Sequence, residues 1–497
     1  MEKAYSIQSI QNYEATVLEK HAPEALLDAA STALHAVCKQ EIAINQKVLL
    51  ICGTGHNGAD GLLLAVKLSN DGYSTAIVLV ETGRALKPLT SDAADIARKA
   101  GIPFVGLEAL DHTDVIIDGL LGIGFSGTLD GSTRHAIECI NQSKASTLSI
   151  DVPSGLCADT GCVQEVAVAA NKTLCVLGGK RGLYTHNAFD ATGEIIHADI
   201  DMQSMPPMPD ADVHVVTTRD LLPSCGAQAQ SVHKGDFGKV LVIGGAQGLE
   251  GSVLLAAQAA ARCGVGHVII CTPNNSSYIN KSPDFTSIEY HEIDEFVKSH
   301  RNLCIILGPG LGSDPWAESV LSAVLSVDCA KVIDAGALRV LNTLKYNQLS
   351  NAILTPHPGE AAALLDTTAD AVNQDRYAAT DAIQSRYGAI SLLKGAGTII
   401  HPPGRMPYVI HESCPEIAVA GAGDVLCGLI AAYVALGETP ETATVQGALL
   451  HVGVGQAIRD QMNGRGMMAS DIIEAIPGFK NNIPIDYKKI NNHRNDE

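Results

Sequence analysis

Val48-Leu-Leu-Ile-Cys-Gly-Thr-Gly-His-Asn-Gly-Ala-Asp-Gly61 is the stretch on which the fold turns. Five apolar residues, Val48 to Cys52, read as a strand buried on both faces; a glycine-rich turn follows, and Gly58 to Asn70 carries a helical pattern. Thr75 to Val80 is the next apolar run, so strand, helix and strand make a βαβ unit with parallel strands. Working outward, apolar runs at Val115 to Ile117 and Leu148 to Val152 alternate with helical patterns at Ser91 to Ala100 and Arg134 to Asn141. That alternation predicts a Rossmann-like, doubly wound α/β sheet. The second half repeats the style. Short strands are expected at Lys239 to Ile243, Val268 to Cys271, Cys304 to Leu307, Lys331 to Asp334, Ala352 to Thr355 and Ile390 to Lys394, with Ala-rich helices such as Gly251 to Cys263 between them. Three prolines and three methionines in Met202 to Asp210 can continue neither a helix nor a central strand. The chain is therefore divided into an N-terminal domain over 1–205, a linker over 206–212, a second α/β domain over 213–480 and a polar tail over 481–497.

The 497 residues are 46% hydrophobic and 18% charged, enough to bury large cores and unlike a disordered polymer. Lys and Arg number 34 against 54 Asp and Glu, a formal charge of −20, which repels nucleic acid and anionic membrane. An anionic small molecule is still admissible, because helix N-termini and backbone amides build local positive sites. The first residues lack the apolar core of a secretory signal, so a cytoplasmic protein is expected. The longest charge-free apolar stretch, Val425 to Gly437, falls short of the ~20 residues a bilayer span needs. The thirteen cysteines include no CxxC pair, and several sit in apolar runs, which suits small buried thiols better than disulfides or zinc.

Glycines gather just after strands, where open α/β sheets bind ligands. In the first half the turn Gly53 to Gly61 exposes amides, while Asn57 and Asp60 offer oxygens to a hard cation or to ligand hydroxyls. Glu81 stands near the place where a dinucleotide-binding sheet carries its acidic residue. Two more strand ends bring a carboxylate and a glycine turn: Asp118-Gly-Leu-Leu-Gly122-Ile-Gly-Phe-Ser-Gly-Thr128 and Asp151-Val-Pro-Ser154-Gly155. In the second half Gly308-Pro-Gly310-Leu-Gly312, Thr355-Pro-His357-Pro-Gly359-Glu360, Lys394-Gly-Ala-Gly-Thr398 and Ala420-Gly-Ala-Gly-Asp424 do the same. The small residues before the helix beginning near Val425 present successive N–H groups as an anion hole beside a carboxylate. That arrangement suits phosphoryl transfer to an alcohol, with Asp424 accepting the hydroxyl proton.

These motifs carry a resemblance. GxGxNGxDG, DGLLGIGFSG and DVPSGLxADTG resemble the YjeF N-terminal, NAD(P)H-hydrate epimerase family; KGDFGKVLVIGG, GPGLG, TPHPGE, KGAGT and GAGD resemble the ADP/ATP-dependent NAD(P)H-hydrate dehydratase branch of the ribokinase-like superfamily. The resemblance implies a bifunctional repair enzyme. Its first domain would interconvert the R and S hydrates, NADHX and NADPHX, and its second would dehydrate the S form at the expense of ADP with Mg²⁺, giving AMP and phosphate. It implies a potassium ion on Asn57, Asp118 and Ser154, and epimerase substrate contacts from His56, Asn57, Gly58, Ala59, Asp60, Gly122, Ile123, Gly124, Phe125, Ser126, Gly127, Thr128 and Asp151. Asp151 is the expected proton-transfer residue. In the dehydratase domain it implies that Ser252, Gly310, His357 and Asp424 face the hydrate, that Lys394, Gly395, Ala396, Gly397, Thr398 and Gly423 hold the nucleotide, and that Asp424 is the base. A homo-oligomer is also implied. The sequence departs from the family at His56 (usually Asn), at Ala59 (usually Gly, for which a positive φ is cheaper), at Cys157 (commonly Asp) and at Ser252 (commonly Ala). The competing reading is a ribokinase-like small-alcohol kinase fused to a non-catalytic binding module.

Overall fold

The computed structural model describes residues 1–81, 85–125, 127–203, 205–222, 231–273, 282–462 and 466–481. Of the residues singled out above, Ser126 and all but the first residue of the tail lie outside these. The chain divides into two compact units, Glu2–His214 and Val215–Glu497. The proline-rich segment does not run free of the first unit: the Tyr13 hydroxyl donates to the Pro206 carbonyl at 2.7 Å, and the Ser6 N–H donates to the Asp212 carboxylate at 2.7 Å.

The first unit holds a six-stranded sheet in the order Ser74–Leu79, Lys47–Cys52, Val115–Gly119, Ser146–Ile150, Lys172–Val176, Glu194–Ala198. Every pairing is parallel. The alternation of side chains along a strand explains its continuous apolar runs. Val48, Leu50 and Cys52 bury against the helices Pro23–Glu41, His56–Asn70 and Pro88–Lys99, whereas Leu49 and Ile51 bury on the other face with Ala136, Ile137 and Ile140 of Gly131–Gln142. The first strand is interior, with its sequence neighbour on one side and the third strand on the other. The topological switch, and the crevice that comes with it, therefore lies at the carboxyl ends of Lys47–Cys52 and Val115–Gly119.

The helix after the first strand begins at His56, two residues earlier than the periodicity suggests, with Gly55 as its N-cap. Asn57 to Asp60 are thus its first turn rather than loop. This corrects the expectation for Ala59: it is helical, fully buried, and absent from the residues of positive φ, so a glycine there would bring no conformational advantage. The strands Lys172–Val176 and Glu194–Ala198 were not read from the sequence.

In the second unit seven strands run parallel in the order Thr286–Ser287, His267–Cys271, Lys239–Ile243, Leu303–Leu307, Ala330–Ile333, Ala352–Leu354, Ile390–Leu393. Ile399–His401 and Tyr408–Ile410 then continue the sheet with antiparallel pairings that the sequence did not reveal. Val240 and Val242 face the helices Glu250–Arg262, Ala422–Ala435 and Pro440–Met462; Leu241 and Ile243 face Pro315–Ser326, Gly336–Thr343 and Arg376–Tyr387. No helix among the described residues is long and apolar enough to cross a membrane.

Candidate active sites

At the switch point of the first unit two glycines let the backbone close up. A Cβ on Gly58 would lie 2.0 Å from the Gly53 carbonyl oxygen, and one on Gly53 would lie 2.0 Å from that of Leu120, so neither position admits a side chain. The helix start is thereby pressed against the loop after Val115–Gly119, and Asn57 reaches across it. Its amide donates to the carbonyls of Leu121 at 2.6 Å and Ile150 at 3.2 Å. Asp118 is fully buried. Its two oxygens accept from the Ser154 hydroxyl (2.6 Å), the Ser154 N–H (2.9 Å), the Ser149 hydroxyl (2.8 Å) and the Leu120 N–H (3.2 Å). Burial raises its pKa above the usual carboxylate range, and these hydrogen bonds pull it back only in part.

No ion pair to Asp118 occurs among the described residues. A buried carboxylate with hydrogen bonds but no counter-charge, in contact with the Ser154 hydroxyl, has donor chemistry that fits a hard monovalent cation. Of the three expected potassium ligands, Ser154 bonds directly to Asp118, and Asn57 and Ser154 both bond to Leu121. Among the described residues no cluster of three or more His, Cys, Asp or Glu offers a site of transition-metal type.

Asp151 stands beside this set in the left-handed region, φ 66°, a conformation that Asp tolerates better than most residues. Its carboxylate accepts from the Val176 N–H at 3.1 Å and forms an ion pair with the buried Lys180 ammonium. The sequence reading missed Lys180 as a site residue. It also missed Glu14, whose carboxyl is held high by burial first and by Asp151 next, with Lys180 opposing. Asp60 belongs to the same group: burial, then Asp151 and Glu14, push it well above the carboxylate range. Of the remaining expected contacts, His56 is exposed at the helix start, Gly122, Ile123 and Phe125 are partly exposed, and Gly124, Gly127 and Thr128 are open to solvent. Glu81 is exposed, with no part in the carboxylate group.

In the second unit a cavity of about 620 Å³ opens at the start of the helix Ala422–Ala435. Asp334, His357, Lys394, Gly395, Ala396, Thr398, Gly423 and Asp424 line it. Gly421, the N-cap, has φ 87°, a left-handed turn that aims the amides at the helix start into the cavity. A side chain on Gly423 would come 3.4 Å from the Lys394 ammonium, so the cradle and the lysine are in contact. Ser252 and Gly310 do not line the cavity. Ser252 nevertheless bonds to the Asp424 carboxylate, and Gly310 packs under the residue that caps Ser252's helix, its Cβ position 2.3 Å from the Leu249 carbonyl oxygen. Gly397 is also absent from the lining, turned with φ 64°.

Two buried groups organise this cavity from beneath, and the sequence reading assigned neither. Asp334, 2% exposed at the end of the strand Ala330–Ile333, accepts from Lys394 at 2.8 Å and from the Cys427 thiol at 3.2 Å. Burial opposes the charge on Lys394, yet Asp334, with Cys427 and Glu360 behind it, holds the ammonium above its ordinary range. Arg376, 3% exposed, donates to the carbonyls of Leu393 and Lys394 at 3.2 and 3.3 Å and so fixes the KGAGT turn. His357 caps its helix: Nδ1 accepts from the N–H groups of Gly359 (3.0 Å) and Glu360 (3.3 Å), while Glu360 accepts from the His357 N–H. Nδ1 is an acceptor, so the neutral ring carries its proton on Nε2.

Asp424, 8% exposed, is pushed up to about 7 by burial, with Asp334 adding and the Ser252 bond and Lys394 opposing. Because its folded pKa lies above its unfolded one, Asp424 lends stability below the ordinary carboxylate range and loses it as pH rises through about 7. Its availability as a base runs the other way, growing through the same interval.

A family model described as NAD(P)H-hydrate dehydratase matches residues 240–478, and one described as YjeF-related protein N-terminus matches residues 23–182. A bifunctional NAD(P)H-hydrate repair enzyme of Coxiella burnetii is 34% identical over 433 residues, covering 86% of this chain and 88% of that one. Its counterpart in Thermosynechococcus vestitus is 35% identical over 444 residues, covering 86% of each. A solved ADP/ATP-dependent NAD(P)H-hydrate dehydratase from Bacillus subtilis, co-crystallised with ATP and Mg²⁺, is 25% identical with a TM-score of 0.46, over 52% of this chain and 94% of that one. Fold and matches together define a two-domain α/β enzyme, a YjeF-related doubly wound sheet in its first unit and an NAD(P)H-hydrate dehydratase domain in its second. The chain belongs to the family of bifunctional NAD(P)H-hydrate repair enzymes.

Proposed function

We propose that the protein restores hydrated nicotinamide coenzymes, exchanging the R and S hydrates of NADH and NADPH in its first unit and dehydrating the S hydrate in its second with ADP as phosphoryl donor. The observation that carries the reading is Asp424: a nearly buried carboxyl, titrating at about 7, at the mouth of an amide cradle and beside the paired Lys394. Hydroxide leaves badly, so the ring hydroxyl is first phosphorylated. Asp424 takes the hydroxyl proton as that oxygen attacks the terminal phosphorus of ADP and AMP departs; the amides of Gly421 to Gly423 and the Lys394 ammonium stabilise the charge that builds on the phosphoryl oxygens. The ring nitrogen lone pair then expels phosphate, and loss of the neighbouring C–H proton restores the ring double bond. Mg²⁺ would arrive on the nucleotide's phosphates, where the carboxylates lining the cavity would help to hold it, and would neutralise phosphate charge. His357 lies at the same opening with its Nε2 3.3 Å from the Glu360 carboxylate, Ser252 orients Asp424, and Gly395 to Thr398 form the turn for the phosphates and ribose.

In the first unit exchange at the hydroxyl-bearing carbon requires water to leave one face and return to the other. Asp151, held in place by its ion pair with Lys180, is the base, and Asn57, Asp118 and Ser154 are the residues that would hold a potassium ion, whose charge would help to bind the hydrate. The first helical turn, His56 to Asp60, and the glycine-rich segment that follows Asp118 contribute the contacts to the hydrate.

Two expected results test these assignments. For the free enzyme, kcat/KM of dehydration rises as pH passes upward through about 7, because only ionised Asp424 accepts the proton; a flat profile there removes it as the base. Lys180→Gln removes the ion pair that holds the Asp151 carboxylate in place, and epimer exchange slows at least several-fold while dehydration of the S hydrate is unchanged. Exchange at the wild-type rate means that the ion pair does not position the base.

A further inference from the structure

The chain that leaves the Asp151 to Gly155 turn folds straight back on itself. Leu156 and Val163 form an antiparallel bridge, which sets Cys157 directly opposite Cys162. The Cys157 N–H donates to the Cys162 carbonyl at 3.0 Å, and the Gly161 N–H donates to the Cys157 carbonyl at 2.8 Å. Only one ladder bond joins the two, since the Cys162 N–H turns to the Thr160 hydroxyl at 3.3 Å; residues opposed across antiparallel strands lie about 4.5–5.5 Å apart at Cα with both side chains on one face. That separation falls inside the span of about 4.4–6.8 Å that a disulfide bridges. Both thiols are free and partly exposed, whereas eight of the twelve described cysteines are buried. Burial first, and then Cys157 beside it, raise the pKa of Cys162, so each sulfur lies in the other's field. The sequence reading, which looked for CxxC spacing, took both as structural thiols; four residues separate them, and only the hairpin brings them together.

We infer that Cys157 and Cys162 form a reversible disulfide by exchange with a low-molecular-weight disulfide. The Cys157 thiolate attacks one sulfur of that molecule, making a mixed disulfide and releasing one small thiolate. The Cys162 thiolate then attacks the Cys157 sulfur, forming the internal S–S bond and releasing the second. Two protein thiols are oxidised, the small disulfide is reduced to two thiols, and the two cysteine protons end on the thiolates released.

The hairpin is tied to the Asp151 ion pair by short links. The Ala158 carbonyl accepts from the Gly182 N–H at 2.8 Å, and Asp159 accepts from the Arg181 guanidinium at 3.1 Å; these two residues directly follow Lys180. The Leu156 N–H donates to the Pro153 carbonyl at 3.0 Å, next to Ser154. Drawing Cys157 toward Cys162 therefore pulls on both the lysine segment and the Ser154 turn, and slows epimer exchange, a consequence that rests on reading the first unit as the epimerase.

The test uses the full chain and oxidised glutathione as probe. Intact mass is expected to fall by two hydrogens with no adduct retained, and peptide mapping to find Cys157 joined to Cys162. Cys157→Ser and Cys162→Ser should each stop at a glutathione adduct on the cysteine that is left. Wild-type protein that stops at the adduct, or links other cysteines, overturns the site. In parallel, R/S exchange should slow several-fold on oxidation and return with dithiothreitol in wild type, with neither serine variant responding. A Cys157–Cys162 link that leaves exchange unchanged bears out the disulfide and overturns its coupling to the ion pair, without touching the epimerase assignment.

Discussion

Asp424→Asn is expected to lose ADP-dependent recovery of the NADH absorbance from the S hydrate by about 10²–10⁴-fold, the contribution of a positioned general base. The amide has nearly the shape of the carboxyl and keeps an oxygen for the Ser252 bond, but it cannot take the hydroxyl proton. It also relieves the cluster of one titrating carboxyl beside Asp334, so the folded protein should gain rather than lose stability above pH 7. Exchange of the R and S hydrates, placed in the other compact unit, should be unchanged. Dehydration retained at the wild-type rate would transfer the role of base to another group.

Asp118→Ala should have the opposite pattern. Four buried donors, the Ser154 hydroxyl and N–H, the Ser149 hydroxyl and the Leu120 N–H, lose their acceptor. At about 1–3 kcal/mol for each buried polar group left unpaired, the loop carrying Ser154 cannot keep its place. Epimer exchange should fall to the uncatalysed rate and the dependence on added potassium should disappear, while dehydration of the S hydrate continues. An Asp118→Ala protein that still exchanges epimers with an unaltered potassium response would contradict the assignment of Asp118 to the cation site.

The division between what the sequence disclosed and what it hid follows from range. Strands such as Val48 to Cys52 and Lys239 to Ile243 are legible because parallel strands covered on both faces must be apolar throughout. The glycine turns are legible because close backbone approach leaves a local mark, as at Gly53 and Gly58. Lys180, by contrast, meets Asp151 across 29 residues, and Lys394 meets Asp334 across 60. Nothing near either member announces its partner. Asp334 did carry a signal, since it closes an apolar strand as Asp118 and Asp151 do, and the same reading applied in the second unit would have picked it out. Lys180 had one as well, in the Gly178-Gly179 pair before it. Arg376 had none: a helical arginine reads as solvated surface, and only the fold places it beneath the turn at Lys394. Ala59 shows the reverse error. A residue judged by the conformational needs of a loop belongs to a helix, because the N-cap is Gly55.

The central claim is that a phosphoryl group is transferred to the hydrate at the Asp424 cradle so that water can leave as phosphate. Incubating a mixed R and S hydrate with the protein, with and without ADP, tests it most directly. Without ADP the account predicts exchange between epimers and no NADH absorbance; with ADP it predicts recovery from both epimers, with AMP and phosphate released in equal amounts to the coenzyme restored. Accumulation of a stable phosphorylated product without phosphate release, or recovery of absorbance in the absence of any nucleotide, would contradict it.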